Sequence, residues 1–282
     1  MFGAQYQTAL ANKFRLMAER LAKRRWHDQP IAEEPLAGRE EYHRLWLDAK
    51  SKSHQEIDTL ERDLGDRIDA DWLHDLALHT QVTVKASDIC YQHGRVLYSV
   101  LRDYIRQNTA QDGFADLNIF ETGTARGFSS TCMAKALDDH DCRGRIVTFD
   151  LLPHDVPLYW NCIDDLDGKK SRRSLLSPWN DLIDDRVVFV EGDTRLTLAN
   201  VKLGRIHFAF LDGGHTYEHV LREARTIAPQ QQTGDVIVFD DYSNDSFSGL
   251  VRAVDTFCRD DNYDGQVVRA SAARGFMIAR KR

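Results

Sequence analysis

Acidic residues close five short apolar runs in the second half of this chain: Glu121, Asp150, Glu191 with Asp193, Asp212, and Asp240 with Asp241. A carboxylate at such a place can accept hydrogen bonds from sugar hydroxyls or share a cation with a neighbour. Asp and Glu also favour loops and helix starts for local reasons, and that accounts for about half of these positions. A glycine-bearing turn follows the first run, with Glu121, Gly123, Thr124, Gly127 and Ser129 spread along it. Gly123 and Gly127 permit a tight strand-to-helix turn and let a ligand approach the backbone closely. The helix start beyond them offers free N–H groups to an anion or a carboxylate. The G-x-x-x-G spacing is neither the dinucleotide fingerprint nor a P-loop. Asp150, ending the second run, stands where a carboxylate can take both hydroxyls of a ribose. Glycine turn and acidic second strand together describe an adenosine site.

The elements that must position these groups are legible in the same stretch. Apolar runs at 117–120, 145–149, 186–190, 206–211 and 236–239 are mostly uninterrupted, as strands covered on both faces should be. Helical patterns separate them, which predicts right-handed βαβ units and a Rossmann-like, doubly wound, mostly parallel sheet in an α/β domain. A helix over 249–258 and two short runs, 266–269 and 275–279, follow; the two runs are close enough to pair antiparallel at one edge. Residues before 116 read as helical. Tyr6, Leu10, Phe14, Met17 and Leu21 share one helical face, and a connector spans 29–38 around Pro30 and Pro35. Ile57, Leu60, Leu64 and Ile68 form a narrow apolar stripe, and 87–106 reads as a further helix. The expected organisation is a helical extension, 1–115, followed by a catalytic or binding domain, 116–282.

Composition excludes several function classes. The chain has 282 residues and 37 Lys+Arg against 44 Asp+Glu, a formal net charge of -7. That balance argues against a nucleic-acid partner, which needs a concentrated basic surface, and the triplet Lys23, Arg24, Arg25 is too short to reverse it. The apolar runs are strand-sized, so no membrane partner is expected. The N-terminus carries no apolar core followed by a small-residue cleavage site. Five cysteines without CxxC spacing fit neither a disulfide framework nor a cysteine zinc site, and a cytoplasmic location is expected.

Residues 116–282 resemble the class I S-adenosylmethionine-dependent methyltransferases. The likeness rests on Glu121-x-Gly123-x-x-x-Gly127, the run ending Phe149-Asp150, the segment Glu191, Gly192, Asp193, and the segment from Phe210 to His215. The resemblance implies S-adenosylmethionine as cofactor and a seven-stranded sheet whose last strand is antiparallel. The Gly123 loop (Glu121, Gly123, Thr124, Gly127, Ser129) would hold the methionine end, Asp150 the ribose, and Asp193 would lie near the adenine. Strands four and five should then be neighbours, bringing Asp212, Asp240 and Asp241 together. Adjacent strands lie about 4.8 Å apart, and carboxylates that close repel unless a cation intervenes, most simply Mg²⁺. Successive strand residues face opposite ways, so Asp240 and Asp241 could both serve only if the chain turns there. A plain strand end or helix cap is the competing reading for one of them.

The trio is similar to that of metal-dependent O-methyltransferases of the catechol type and of the macrolide-sugar and natural-product groups. The catechol type has Asp, Asp, Asn at these places; here the third is Asp241, as in the sugar-modifying relatives. Where the catechol enzymes use a lysine as general base, this chain has His215. An imidazole ordinarily titrates near pH ~6.5, which suits it to accept a proton, although His215 could equally orient Asp212 or cap the next helix. The expectation is an O-methyltransferase acting on a hydroxyl of a small molecule, a sugar or other natural product, with Asp212 and His215 catalytic. Metal-independent transfer to nitrogen or an acidic oxygen, and cofactor binding without turnover, are the competing functions. The insertion 151–185, with Tyr159, Trp160, Trp179 and the basic cluster 169–173, is expected to form a lid or substrate loop. Tyr242, Ser243, Asn244, His93 and Gly94 are candidate acceptor walls. The N-terminal helices are the candidate surface for homo-oligomer contact or for covering the acceptor site.

Overall fold

The computed structural model describes residues 32–109, 116–198 and 201–282. The helix expected over Tyr6 to Leu21, the basic triplet at 23–25 and the start of the connector lie outside these residues. Four helices come first: α1 (Arg39–Ser51), α2 (Gln55–Leu64), α3 (Ala70–Thr80) and α4 (His93–Thr109). Gly65, at φ +74°, ends α2, and the Asp69 carboxylate caps α3 by accepting the Trp72 N–H at 2.8 Å. The stripe read from the sequence turns inward, with Ile57, Leu60 and Ile68 all buried. Residues 87–92, expected to be helical, are loop, and the helix starts at His93.

Seven strands follow: β1 (Leu117–Thr122), β2 (Gly144–Asp150), β3 (Val187–Glu191), β4 (Phe208–Leu211), β5 (Val236–Phe239), β6 (Tyr263–Ser271) and β7 (Arg274–Lys281). They form one sheet in the order β3-β2-β1-β4-β5-β7-β6. The first five are parallel, and β7 runs antiparallel between β5 and β6. The fold class read from the sequence is therefore correct. Strand order reverses between β1 and β4, the place where an open α/β sheet splits to admit a ligand.

Every residue of β4 and β5 is buried, because the sheet is covered on both faces. One face carries Ile119, Phe208, Phe210, Val236 and Val238 in a single apolar cluster with α5 (Phe128–Asp138) and with Leu97, Leu101 and Tyr104 of α4. The other packs Phe120, Leu211, Ile237 and Phe239 against α9 (Tyr217–Ile227) and α10 (Asn244–Asp260); the short α6 (Arg172–Leu175), α7 (Asn180–Ile183) and α8 (Thr194–Thr197) precede them. The helices before β1 are thus one wall of the same core. They also cover the sheet edge: the Arg269 N–H donates to the Glu56 carboxylate at 2.8 Å, and His54 Nδ1 lies 2.8 Å from the Ala270 carbonyl. Among the described residues, no helix is long and apolar enough to cross a membrane.

Candidate active site

A cavity of about 520 Å³ opens at the carboxyl ends of β1, β2, β3 and β4. Gly123, Ala125, Asp150, Asp193, Asp212 and His215 are among the residues lining it. Gly123 is required for two reasons. Its φ is +86°, and a Cβ there would fall 2.2 Å from the Asp212 carbonyl oxygen, so only glycine lets the ends of β1 and β4 close together.

The loop is held by carboxylates and a buried cation. Asp150 accepts the N–H of Ala125 and that of Leu152, each at 2.6 Å, one on either oxygen. Each oxygen keeps a lone pair for a further donor such as a ribose hydroxyl. Arg172, from the insertion, is 2% exposed and donates to the carbonyls of Ala125 (2.7 Å) and Leu152 (3.2 Å); its Nη2 lies 4.0 Å from Asp150. Burial lowers its pKa, and Asp150, Glu121 and Glu191 work against that. Glu121, Thr124 and Ser129 lie one layer deeper. Ser129 and Ser130 both donate to Glu121, and Thr124 Oγ1 lies 2.5 Å from Thr148 Oγ1. Burial raises the Glu121 carboxyl while those hydroxyls pull it back. These three residues support the glycine turn from below and do not line the cavity.

At the far side Asp193 caps α8 and pairs with Arg195 at 2.7 Å, which holds its carboxyl below the usual range against burial. His219 also lines the cavity and lies 3.0 Å from both Thr194 Oγ1 and Glu223. The sequence reading missed His219 and Glu223. The Gly213-Gly214 pair was their signal: a Cβ at Gly214 would meet the His219 ring at 2.1 Å, and one at Gly213 would meet Glu223 at 2.9 Å.

The expected metal trio is arranged differently from the reading of the sequence. Asp241 sits at φ +53°, so the chain does turn after β5. That turn separates the roles of the two aspartates. Asp240 is 1% exposed; its Oδ1 accepts the Asp241 N–H at 2.7 Å and its Oδ2 accepts from Arg274 at 2.6 Å. Asp241 Oδ1 lies 3.1 Å from the same guanidinium, and its Oδ2 lies 2.9 Å from His215 Nε2. The groups that converge are Asp212, His215 and Asp241, with ligand atoms within 4.8 Å of one another. This is a mixed nitrogen and oxygen set beside a fixed cation, and it does not fit Mg²⁺, which prefers oxygen ligands and several waters.

The electrostatics follow from that packing. Burial, then Asp240 and Asp241, push the Asp212 carboxyl well above its ordinary value. Burial raises Asp240 to about 6 against the pull of Arg274. Burial opposes ionisation of Asp241 too, yet His215 and Arg274 bring it below the usual range. For Arg274 burial is outweighed by the three aspartates, which hold the guanidinium charged. α10 is kinked at Phe247 (φ -139°, ψ 59°), and that ring stacks on His215 at 4.4 Å.

The expected walls divide. His93 is buried, stacked on Phe210 at 6.0 Å with Nδ1 unpartnered, and burial pushes its pKa down to about 3. Tyr242 donates to Asp255 at 2.6 Å. The insertion is packed, with Trp160 fully buried and Trp179 at 6% exposure. Its basic cluster is spent internally: Lys170 pairs with Asp164, Arg173 with Asp155, and Arg172 is buried under the loop.

Residues 120–242 match the family model described as a methyltransferase domain. No curated protein matches the chain in sequence. Among solved structures it is similar to the cofactor-bound Rv0187 from MTB, with TM-score 0.53 and 18% identity over 76% of this chain and 90% of that one. It is also similar to TomG, an O-methyltransferase of Streptomyces achromogenes involved in tomaymycin synthesis and solved with SAM (TM-score 0.51, 16% identity, 76% and 91% covered). An O-methyltransferase from Bacillus cereus in complex with SAH has TM-score 0.50 and 17% identity, covering 83% of this chain and 94% of that one.

Proposed function

We propose that this chain, whose residues 120–242 match the methyltransferase-domain model, transfers a methyl group from S-adenosylmethionine to a hydroxyl oxygen of a small molecule. The observation that carries this reading is the juxtaposition of the cavity at the switch point with a histidine–aspartate pair, His215 and Asp241, at its rim. The O-methyltransferase relatives named above support the choice of oxygen as acceptor.

The donor, when bound, supplies an electrophilic methyl on a cationic sulfur. The chain's residues do the rest. The glycine turn after β1 walls the cavity toward the amino-acid end, Asp150 keeps lone pairs for the ribose hydroxyls, and Asp193 stands at the adenine end with His219. An ionised Asp241 accepts from His215 Nε2–H, so the imidazole lone pair is on Nδ1. His215 takes the acceptor's hydroxyl proton at Nδ1 as the methyl passes to oxygen. Asp241 fixes the ring and stabilises the imidazolium that forms. The stacked Phe247 restricts the ring from its other side.

The test has two stages. Calorimetric titration with SAM and SAH should give saturable binding, and its absence would remove the cofactor reading. Incubation with methyl-labelled SAM and a panel of phenols, enols and sugars should then label an oxygen. Label appearing only on nitrogen would replace O-transfer by N-transfer.

A further inference from the structure

We infer that Arg274 takes the place a divalent cation would occupy between the ends of β4 and β5, so that this site is charge-balanced by the protein and works without added metal. Three carboxylates gathered at adjoining strand ends need a counter-charge. The molecule supplies one from β7, the strand that folds back beside β5. The Tyr242 N–H donates to the Gly275 carbonyl at 2.9 Å, and a Cβ on Gly275 would lie 2.8 Å from the Tyr242 carbonyl oxygen. The start of β7 and the turn after β5 are therefore pressed together at the backbone, which delivers the neighbouring Arg274 to Asp240 and Asp241.

The hydrogen bonds leave little for an ion. Both oxygens of Asp240 are engaged and its side chain has no exposure. Asp241 uses one oxygen toward Arg274 and the other toward His215. A small hard cation that binds in octahedral geometry with retained waters would have to displace the guanidinium or stand against its charge. Arg274 is accordingly a positioning residue: it holds Asp241, and Asp241 holds His215. A chemical corollary rests on the methyl-transfer reading. With no Lewis acid to lower the acceptor's pKa, His215 must remove a proton unaided, which favours a phenol or an enol over a sugar alcohol.

The decisive measurement is Mn²⁺ binding to the full chain, followed by loss of the free-ion EPR signal. The wild type should take up no Mn²⁺ at concentrations where Arg274→Ala binds at least tenfold more tightly. Arg274→Ala combined with Asp240→Asn should lose that gain, and Arg274→Lys, which keeps the charge, should behave as the wild type. A retained SAH thermal shift identifies variants that are folded. Should Arg274→Ala fail to fold, stoichiometric Mn²⁺ uptake by the wild type or by Arg274→Lys overturns the inference by itself, and no uptake by either supports it. Wild type binding Mn²⁺ as tightly as Arg274→Ala overturns the inference, as does a sugar acceptor whose methylation stops in EDTA and returns with Mg²⁺. A wild type that shows no SAH shift and takes up no Mn²⁺ counts against methyl transfer alone and leaves the role of Arg274 standing.

Discussion

His215 carries the proposed reaction, and Arg172 holds the loop proposed to bind the cofactor. His215→Ala removes the proposed proton acceptor while leaving the cavity's other walls in place. Single-turnover transfer of labelled methyl should fall about 10²–10⁴-fold, the range usual for general base catalysis, with SAM affinity nearly unchanged. An unaltered rate would mean that another group takes the proton. Asp241→Asn should lose nearly as much, because the imidazole then lacks its fixed partner. Arg172 acts through the loop. Its replacement by Met leaves the Ala125 and Leu152 carbonyls buried without a donor, at roughly 1–3 kcal/mol for an unsatisfied group. Titration should show SAH binding weakened by about tenfold or more, since 1.4 kcal/mol is a factor of ten. Arg172→Lys should recover part of that loss, whereas equal loss in both variants would argue for packing alone.

At the scale of elements, the close approach of β1 to β4 and the docking of the insertion decide whether the cavity exists. Gly123→Ala would place a Cβ against the Asp212 carbonyl at a left-handed φ. The backbone conformation alone costs about 1–2 kcal/mol, and the clash adds to it. A lowered melting temperature together with lost SAH binding is expected; a variant that binds normally would show that the loop can relax. The insertion is fastened rather than free. Arg126, in the glycine loop, donates to the Trp160 carbonyl, and His79 of α3 lies 2.6 Å from Asp164. The hydrogen bond to Asp164 raises the His79 pKa, outweighing burial. Burial works against ionised Asp164, but His79 and then Lys170 keep it below its ordinary value. A raised histidine stabilises the fold below its unfolded value, ~6.5, and loses that effect as pH rises through its folded value. The lowered aspartate contributes above about 3.9 and loses its effect as pH falls through its folded value. The stability gap between wild type and His79→Gln, from urea unfolding, should therefore be widest near pH ~5 and shrink toward pH ~9. A gap that grows with pH would contradict the pairing.

For the whole molecule, the helices before β1 and the sheet share one apolar cluster, so they should unfold together. Trp46 and Trp72 report on the helical layer, and Trp160 and Trp179 on the insertion. Urea transitions followed by tryptophan fluorescence and by far-ultraviolet circular dichroism should coincide; separated transitions would make the first hundred residues an independent unit. The same scale explains what could be read in advance. The parallel strands, the antiparallel final pair and the glycine turn were legible because their signals are local: apolar runs of strand length and a glycine at a fixed offset from a strand end. The start of α4 was misplaced by about one and a half turns because 87–92 is apolar enough to continue a helix but is held as loop. The sequence by itself determined the fold class, the glycine turn and the acidic strand ends, all consequences of patterns spanning a few residues. Tertiary structure alone decided which charges meet there. Arg274 reaches Asp240 from 34 positions away and Arg172 reaches Ala125 from 47. A long cationic side chain leaves no periodic trace, and its partner is chosen only when strands and insertion pack and water is removed.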